Sequence, residues 1–141
     1  MHPSYSSVMV TMSNGATLSK VTDYLNHGID KLNNDKYSQL QSVQIPVVYG
    51  GEYGPDLERI SIHSGLTQDE VIKRHYNGHY LVYFIGFSIG FPYFGGMDDS
   101  ISTPRLDSPR KSVPSGSIGI AGNQTGVYPL SSPGGWNLIG R

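Results

Sequence analysis

The alternation of apolar and polar positions divides the chain near residue 40. In "SYSSVMVTM", Val8, Val10 and Met12 fall on one face at period two, which predicts a strand. After the turn residues "SNG", Leu18, Val21, Leu25, Ile29 and Leu32 recur at steps of three and four. That spacing predicts an amphipathic helix of about four turns. "NNDKYSQLQS" is mostly polar and predicts a linker. One strand and one helix do not close a core. Residues 1–40 therefore either pack on the remainder or form the tail of a small domain.

Further along, "VQIPVVYGGEYGPDLERI" predicts a short strand, a glycine-rich bend and a helix opening near Pro55. Asp56 and Glu58 sit in its first turn, where the helix dipole favours acids. In "LTQDEVIKRHY", Thr67 and Glu70 have the spacing of a capping box, which predicts a second helix. "GHYLVYFIGF" reads as a buried strand, and "SIGFPYFGGMDD" as a loop. "ISTPRLDSPRKSVPSG" reads as extended chain punctuated by proline. "SIGIA", "TGVYPL" and "WNLIG" predict short strands separated by glycine turns. The 18 glycines, nine prolines and ten tyrosines, most of the glycines lying after residue 50, strengthen this picture of a mainly β second part with two short helices.

Charge narrows the function classes. Ten basic and eleven acidic side chains give a formal net charge of -1, which leaves no footprint for nucleic acid or an anionic membrane. The absence of cysteine excludes a disulfide framework and thiolate metal ligation. The first fifteen residues lack a basic segment followed by a long apolar one, and no run approaches the roughly 20 apolar residues of a membrane span. The expectation is a cytoplasmic protein.

Candidate chemistry is sparse. "GSIGIAGNQTG" has the glycine density of a phosphate cradle, but "VYPLSSPGGW" follows it with no helical period and no Lys-Ser/Thr. Its glycines read as strand turns. Asn123 begins a glycosylation sequon, read as chance without a secretory signal. "TPRLDSPR" repeats Pro-Arg at Arg105 and Arg110. A proline beside each arginine restricts the backbone that aims the guanidinium, which suits a carboxylate or a phosphate; solvated loop arginines are the alternative. Glu52 and Asp56 are either a paired carboxylate or acids at a helix start. His63 stands near a helix end, and His75 and His79 flank a turn, without a metal-ligand pattern. "GFSIG" lacks the strand–elbow–helix setting of a hydrolase serine.

Taken together, "VVYGGEYGPDLERI", "GFSIGFPYFGGMD" and the long run from Thr103 to Arg141 resemble the family of KipI, allophanate hydrolase subunit 1 and the B subunit of 5-oxoprolinase. The likeness is dense over residues 43–141 and fainter over the first strand and helix. It implies a cyclophilin-like β-barrel over residues 41–141, preceded over residues 1–40 by the strand-helix remnant of a small α/β domain. It also implies that family members begin earlier and continue past "WNLIGR", so that the barrel here is truncated. The implied activity is that of one subunit of a heteromeric 5-oxoprolinase, which opens 5-oxoproline to glutamate using ATP. Its implied partners are two further subunits, one KipA-like and one LamB/YcsF-like. Inhibition of a sporulation histidine kinase and a carboxyltransferase-like role related to urea carboxylase and allophanate metabolism are the other activities the resemblance suggests. The motif residues it carries over are Glu52, Tyr53, Asp56, Phe91, Pro92, Gln124, Tyr128 and Pro129 for substrate binding, and His63, Arg105 and Arg110 for catalysis. No metal site is implied. Ile89 departs from the family pattern, which has proline there, and removes one fixed φ from the loop.

Overall fold

The structure is a computed structural model that describes residues 1–32 and 41–141. The predicted linker and the predicted boundary at residue 40 lie largely outside the described residues. The chain divides into two compact units, Met1–Ile45 and Pro46–Arg141.

In the first unit, β1 (His2–Pro3) pairs antiparallel with β2 (Val8–Met9), a shorter strand than the alternation predicts. The predicted helix is α1, Leu18–Leu32. Val21 and Leu25 on its apolar stripe are half-buried, whereas Leu18 and Ile29 face solvent.

The second unit opens with α2 (Leu57–Ser64) and α3 (Gln68–Tyr76). The capping box forms as its spacing predicts: Glu70 N–H donates to Thr67 Oγ1 (3.2 Å), and Thr67 N–H donates to Glu70 Oε2 (2.8 Å). There follow β3 (Leu81–Ile85), β4 (Pro92–Gly95), a 3₁₀ turn (Asp99–Ile101), β5 (Arg110–Val113), β6 (Ile118–Ala121), β7 (Gln124–Val127), β8 (Ser132–Gly134) and β9 (Asn137–Gly140). Strand β4 lies within a stretch whose glycines and aromatics read as loop; Pro92 is tolerated because it is the strand's first residue. Five strands form one antiparallel sheet in the order β3-β4-β7-β6-β9, and β5 pairs with β8 as a separate ribbon. The mainly β architecture is as expected, but these hydrogen bonds do not close the described strands into a barrel.

Residues of "GSIGIAGNQTG" form the β6–β7 hairpin, with Ala121 opposite Gln124 and a two-residue turn between them. Gly122 has φ +58° and Asn123 does not share the positive φ, the pattern of a type II′ turn with glycine first.

Central strands are covered on both faces. Ile118, Ile120 and Ile139 join Leu57, Ile60 and Val71 of the helices in one cluster. Ala121 and Leu138 join Phe91, Val113, Tyr128 and Trp136 in another. Neighbouring residues thus point to opposite, equally dry sides, which is why β6 and β9 are buried along their whole length. The outer edge of β9 is occupied: Val48 and Arg141 exchange backbone bonds, Gly50 N–H donates to Ile139 O, and Asp56 N–H donates to Leu138 O.

Strand β3 is the correction to the predicted pattern. Its apolar run is exposed, Ile85 at 61% and Tyr83 at 53%, because among the described residues β3 ends the sheet with β4 as its one ladder neighbour. A run of apolar residues marks a surface removed from water, and sequence does not distinguish a core from an interface.

Candidate functional site

Five aromatic rings gather on the ribbon side of the sheet. Phe91 is the hub, with edge-to-face contacts to Tyr93 (4.9 Å between centroids), Tyr128 (5.1 Å), Trp136 (5.4 Å) and Phe87 (5.4 Å). This T-shaped geometry sets the positive ring edges against negative ring faces. The rings come from three segments that the sheet brings together: the β3–β4 hairpin, the end of β7, and the β8–β9 turn "GGW".

Against this wall lies a cavity of about 60 Å³, lined by Phe87, Tyr93, Arg105, Tyr128, Gly134, Gly135 and Trp136. It is large enough to hold ordered water or a small polar group such as a carboxylate. The Arg105 guanidinium carbon stands 6.0 Å from the Trp136 ring centroid, within cation–π range. Burial pushes the Tyr128 phenol up, while the Trp136 backbone amide and the charges of Arg105 and Arg110 pull it back. Tyr128 therefore stays protonated at neutral pH and is a hydrogen-bond donor beside a cation. Gly134 lies pressed against the Tyr128 hydroxyl, where any Cβ would collide.

Phe87 forms the rim. Its φ of +65° is rare for a bulky residue, and Ser88 N–H donates to Gly86 O (2.7 Å) across it. That is a γ-turn in its strained form, at a cavity-lining residue that is 62% exposed.

The two Pro-Arg units diverge. Arg105 faces the cavity, whereas Arg110 Nη2 is bound to Asp56 Oδ1 (2.7 Å) and Nη1 to Trp136 O (3.4 Å). Asp56, at the N-cap position of α2, makes no capping bond to its own helix. Its other oxygen accepts the Leu138 N–H (2.6 Å). Asp56 and Arg110 thus form a strut between α2, β9 and the ribbon, and hold the Trp136 carbonyl in place.

Other motif residues are scattered. Glu52 and Tyr53 occupy an exposed turn after Gly50, whereas the Asp56 carboxylate is buried and taken up by Arg110 and the Leu138 amide. His63 is exposed on the last turn of α2 and does not line the cavity. Pro92 and Gln124 are half-buried on β4 and β7. Pro129 follows Tyr128, and its carbonyl accepts from Ser115 Oγ (2.7 Å). Sequence reasoning did not single out Phe87, Trp136, Gly134 or Gly135. The signal was available in "PGGW", the chain's one tryptophan set behind two glycines.

A larger, open cleft of about 540 Å³ runs beside α3 and includes Glu70, Lys73, Arg74 and Asp98. Arg74 is consumed there by Asp98 (3.3 Å) and Ser100 (2.8 Å), and no aromatic residue is among its described lining. The smaller cavity is the better candidate, because it couples a cation to a desolvating surface. Among the described residues, no group of three or more His, Cys, Asp or Glu could hold a metal ion, and no helix is long and apolar enough to cross a membrane.

Relatives share this framework. The B subunit of 5-oxoprolinase from Bacillus subtilis (strain 168) is 60% identical over 99 residues, which span 70% of this chain and 41% of that protein. The B subunit of 5-oxoprolinase from Escherichia coli O157:H7 is 53% identical over 99 residues, 70% of this chain and 45% of that protein. The chain thus spans less than half the length of these curated relatives. Among solved structures, the conserved uncharacterized protein PH0987 of Pyrococcus horikoshii superposes with a TM-score of 0.69 at 47% identity, covering 89% of this chain and 57% of that one. The family described as "Carboxyltransferase domain, subdomain C and D" matches residues 1–141. With that match running the full length, the chain belongs to the carboxyltransferase-domain family of subdomains C and D.

Proposed function

We propose that this chain is part of the KipI-type subunit of a heteromeric, ATP-dependent 5-oxoprolinase, and that its aromatic cavity receives the carboxylate of 5-oxoproline. The observation that carries the reading is the Arg105 guanidinium over Trp136 at the mouth of a cavity sized for a carboxylate. Arg105 supplies the charge and the Tyr128 hydroxyl a second donor. The aromatic wall excludes water and strengthens both interactions.

Anchored by its carboxylate, the substrate presents its lactam ring outward, past Phe87. Ring opening adds water to the lactam carbonyl, breaks the C–N bond and leaves the nitrogen protonated as the amine of glutamate. The cavity residues orient the substrate for that step rather than perform the proton transfers. Those transfers, and the use of ATP, fall to groups outside the cavity lining, which makes this protein non-autonomous. The partners are one KipA-like and one LamB/YcsF-like protein, in the cytoplasm. Gln124, Pro92 and Pro129 belong to the frame around the cavity, and His63 is assigned no step.

The test is ATP-dependent glutamate release from 5-oxoproline by the full-length protein with its two partners, omitting each in turn. Activity that requires all three supports the reading. Undiminished activity when this protein is left out would refute it.

A further inference from the structure

Arg105 stands on a loop, yet the peptide units on both sides of it are fixed. On its N-terminal side, the Pro104 carbonyl accepts from Asn137 Nδ2 (2.9 Å) and from Arg59 Nη1 (3.2 Å). Asn137 is fully buried on β9. Its amide also donates to Ile120 O (2.9 Å), and its oxygen accepts from Arg59 Nη1 (2.9 Å). Both amide hydrogens and the acceptor oxygen are therefore engaged. On the C-terminal side, Leu106 N–H donates to Gly135 O (2.8 Å), one residue before Trp136. Upstream, Thr103 and Gly122 exchange backbone bonds in both directions (3.2 and 2.8 Å). Pro104 removes the freedom of its own φ.

Arg59 is the unusual member of this clamp. Among the described residues it forms no ion pair, and the oxygens it binds, those of Pro104 and Asn137, are neutral. A long cationic side chain from α2 is thus committed to one carbonyl and to the amide that holds the same carbonyl. That carbonyl belongs to the residue preceding Arg105, the one cation among the described residues that line the cavity.

We infer that Arg59 and Asn137 are positioning residues, which fix the Pro104–Leu106 backbone so that Arg105 is held over Trp136 and the cavity prefers a carboxylate to a neutral head of the same shape. The inference rests on the proposed reading of the cavity as a carboxylate site. A loop arginine with a free backbone loses conformational freedom when it grips a ligand, and one clamped on both sides loses less. Releasing the clamp therefore weakens the charged ligand selectively and leaves the neutral one alone.

The experiment is calorimetric titration of the full-length protein with 5-oxoproline and with its carboxamide, alongside NMR of the Arg105 side chain, whose signals the Trp136 ring current displaces. Arg105→Gln identifies those signals by their loss and removes the preference for the carboxylate. Arg59→Met is expected to cut that preference about tenfold, leave carboxamide affinity unchanged and return the Arg105 signals toward free-arginine positions. Arg59→Lys, which keeps one donor, restores part of the preference; Arg59→Gln replaces Arg59→Met if the latter does not fold. Full preference retained in Arg59→Met while Arg105→Gln has lost it, or an equal loss for both ligands, overturns the inference. A wild-type protein with no carboxylate preference defeats the proposed function instead. The NMR arm then decides the positioning role alone: Arg105 signals unmoved by Arg59→Met refute it.

Discussion

Acidification below pH 6.5 is expected to destabilise this protein through one buried histidine, His75, which is 5% exposed on α3. Thr125 Oγ1 donates its only hydrogen to Gly119 O (3.0 Å), so toward His75 Nε2 (2.9 Å) it accepts. Nε2 therefore carries the proton, and Nδ1 accepts from the Tyr49 hydroxyl at 2.7 Å. This assignment leaves His75 neutral, with no site for a second proton unless Tyr49 turns away. Burial pushes the His75 pKa down to about 4 from its ordinary 6.5, and pushes the Tyr49 phenol up to about 12. Below pH 6.5 the unfolded chain binds a proton that the folded chain refuses. The stabilisation is thus complete above pH 6.5 and is lost as pH falls toward 4. A depression from 6.5 to about 4 corresponds to roughly 3 kcal/mol in full and about 2 kcal/mol between pH 7 and pH 5. Urea unfolding of the wild type and of His75→Gln across that range measures it. The variant is less stable at pH 7, but its stability should fall by about 2 kcal/mol less on going to pH 5. Subtraction removes carboxylates such as Glu70 and Asp98, whose pKa values are lowered by hydrogen bonds from Thr67 and Ser100 respectively, so that their loss comes at lower pH. Parallel pH profiles for the two proteins would refute the reasoning.

Three further substitutions probe the frame of the cavity and its helices. Asp56→Asn strips the charge that Arg110 and the Leu138 amide share, and should cost about 3 kcal/mol in chemical unfolding, with Asp56→Asn/Arg110→Met recovering part of it. Gly134→Ala drives a Cβ into the Tyr128 hydroxyl and should cost about 1–3 kcal/mol while weakening 5-oxoproline binding, read by calorimetry. Thr67→Ala removes the capping box of α3 at about 1 kcal/mol, a fall in melting temperature that leaves ligand affinity unchanged because α3 does not line the cavity.

Local signals were legible in the sequence. The Thr67–Glu70 spacing fixed a helix start, and Gly122 fixed a hairpin turn, because each depends on residues within a few positions of one another. Distant pairings were not legible. Asp56 reads as a helix-start acid, yet its carboxylate serves Arg110, 54 positions away, and Leu138, 82 positions away. Nothing local distinguishes Arg105 from Arg110, since both follow proline. Their separation comes from the sheet, which brings Trp136 to one and Asp56 to the other. Strand β3 shows a different limit: its apolar pattern is real, but pattern alone does not say whether other parts of the same unit or another surface covers it. The family resemblance supplied the function class and most of the residue names, whereas only the packing of rings around Phe91 marked the cavity.

The central claim is that Arg105 grips the substrate carboxylate while Arg110 is structural, and steady-state kinetics of the assembled three-protein complex tests it most directly. Loss of one charge-assisted contact of about 1.5–3 kcal/mol predicts a roughly 10- to 100-fold rise in KM for 5-oxoproline with Arg105→Gln, with the KM for ATP unchanged. An Arg105→Gln complex that turns over 5-oxoproline with wild-type KM would contradict the account.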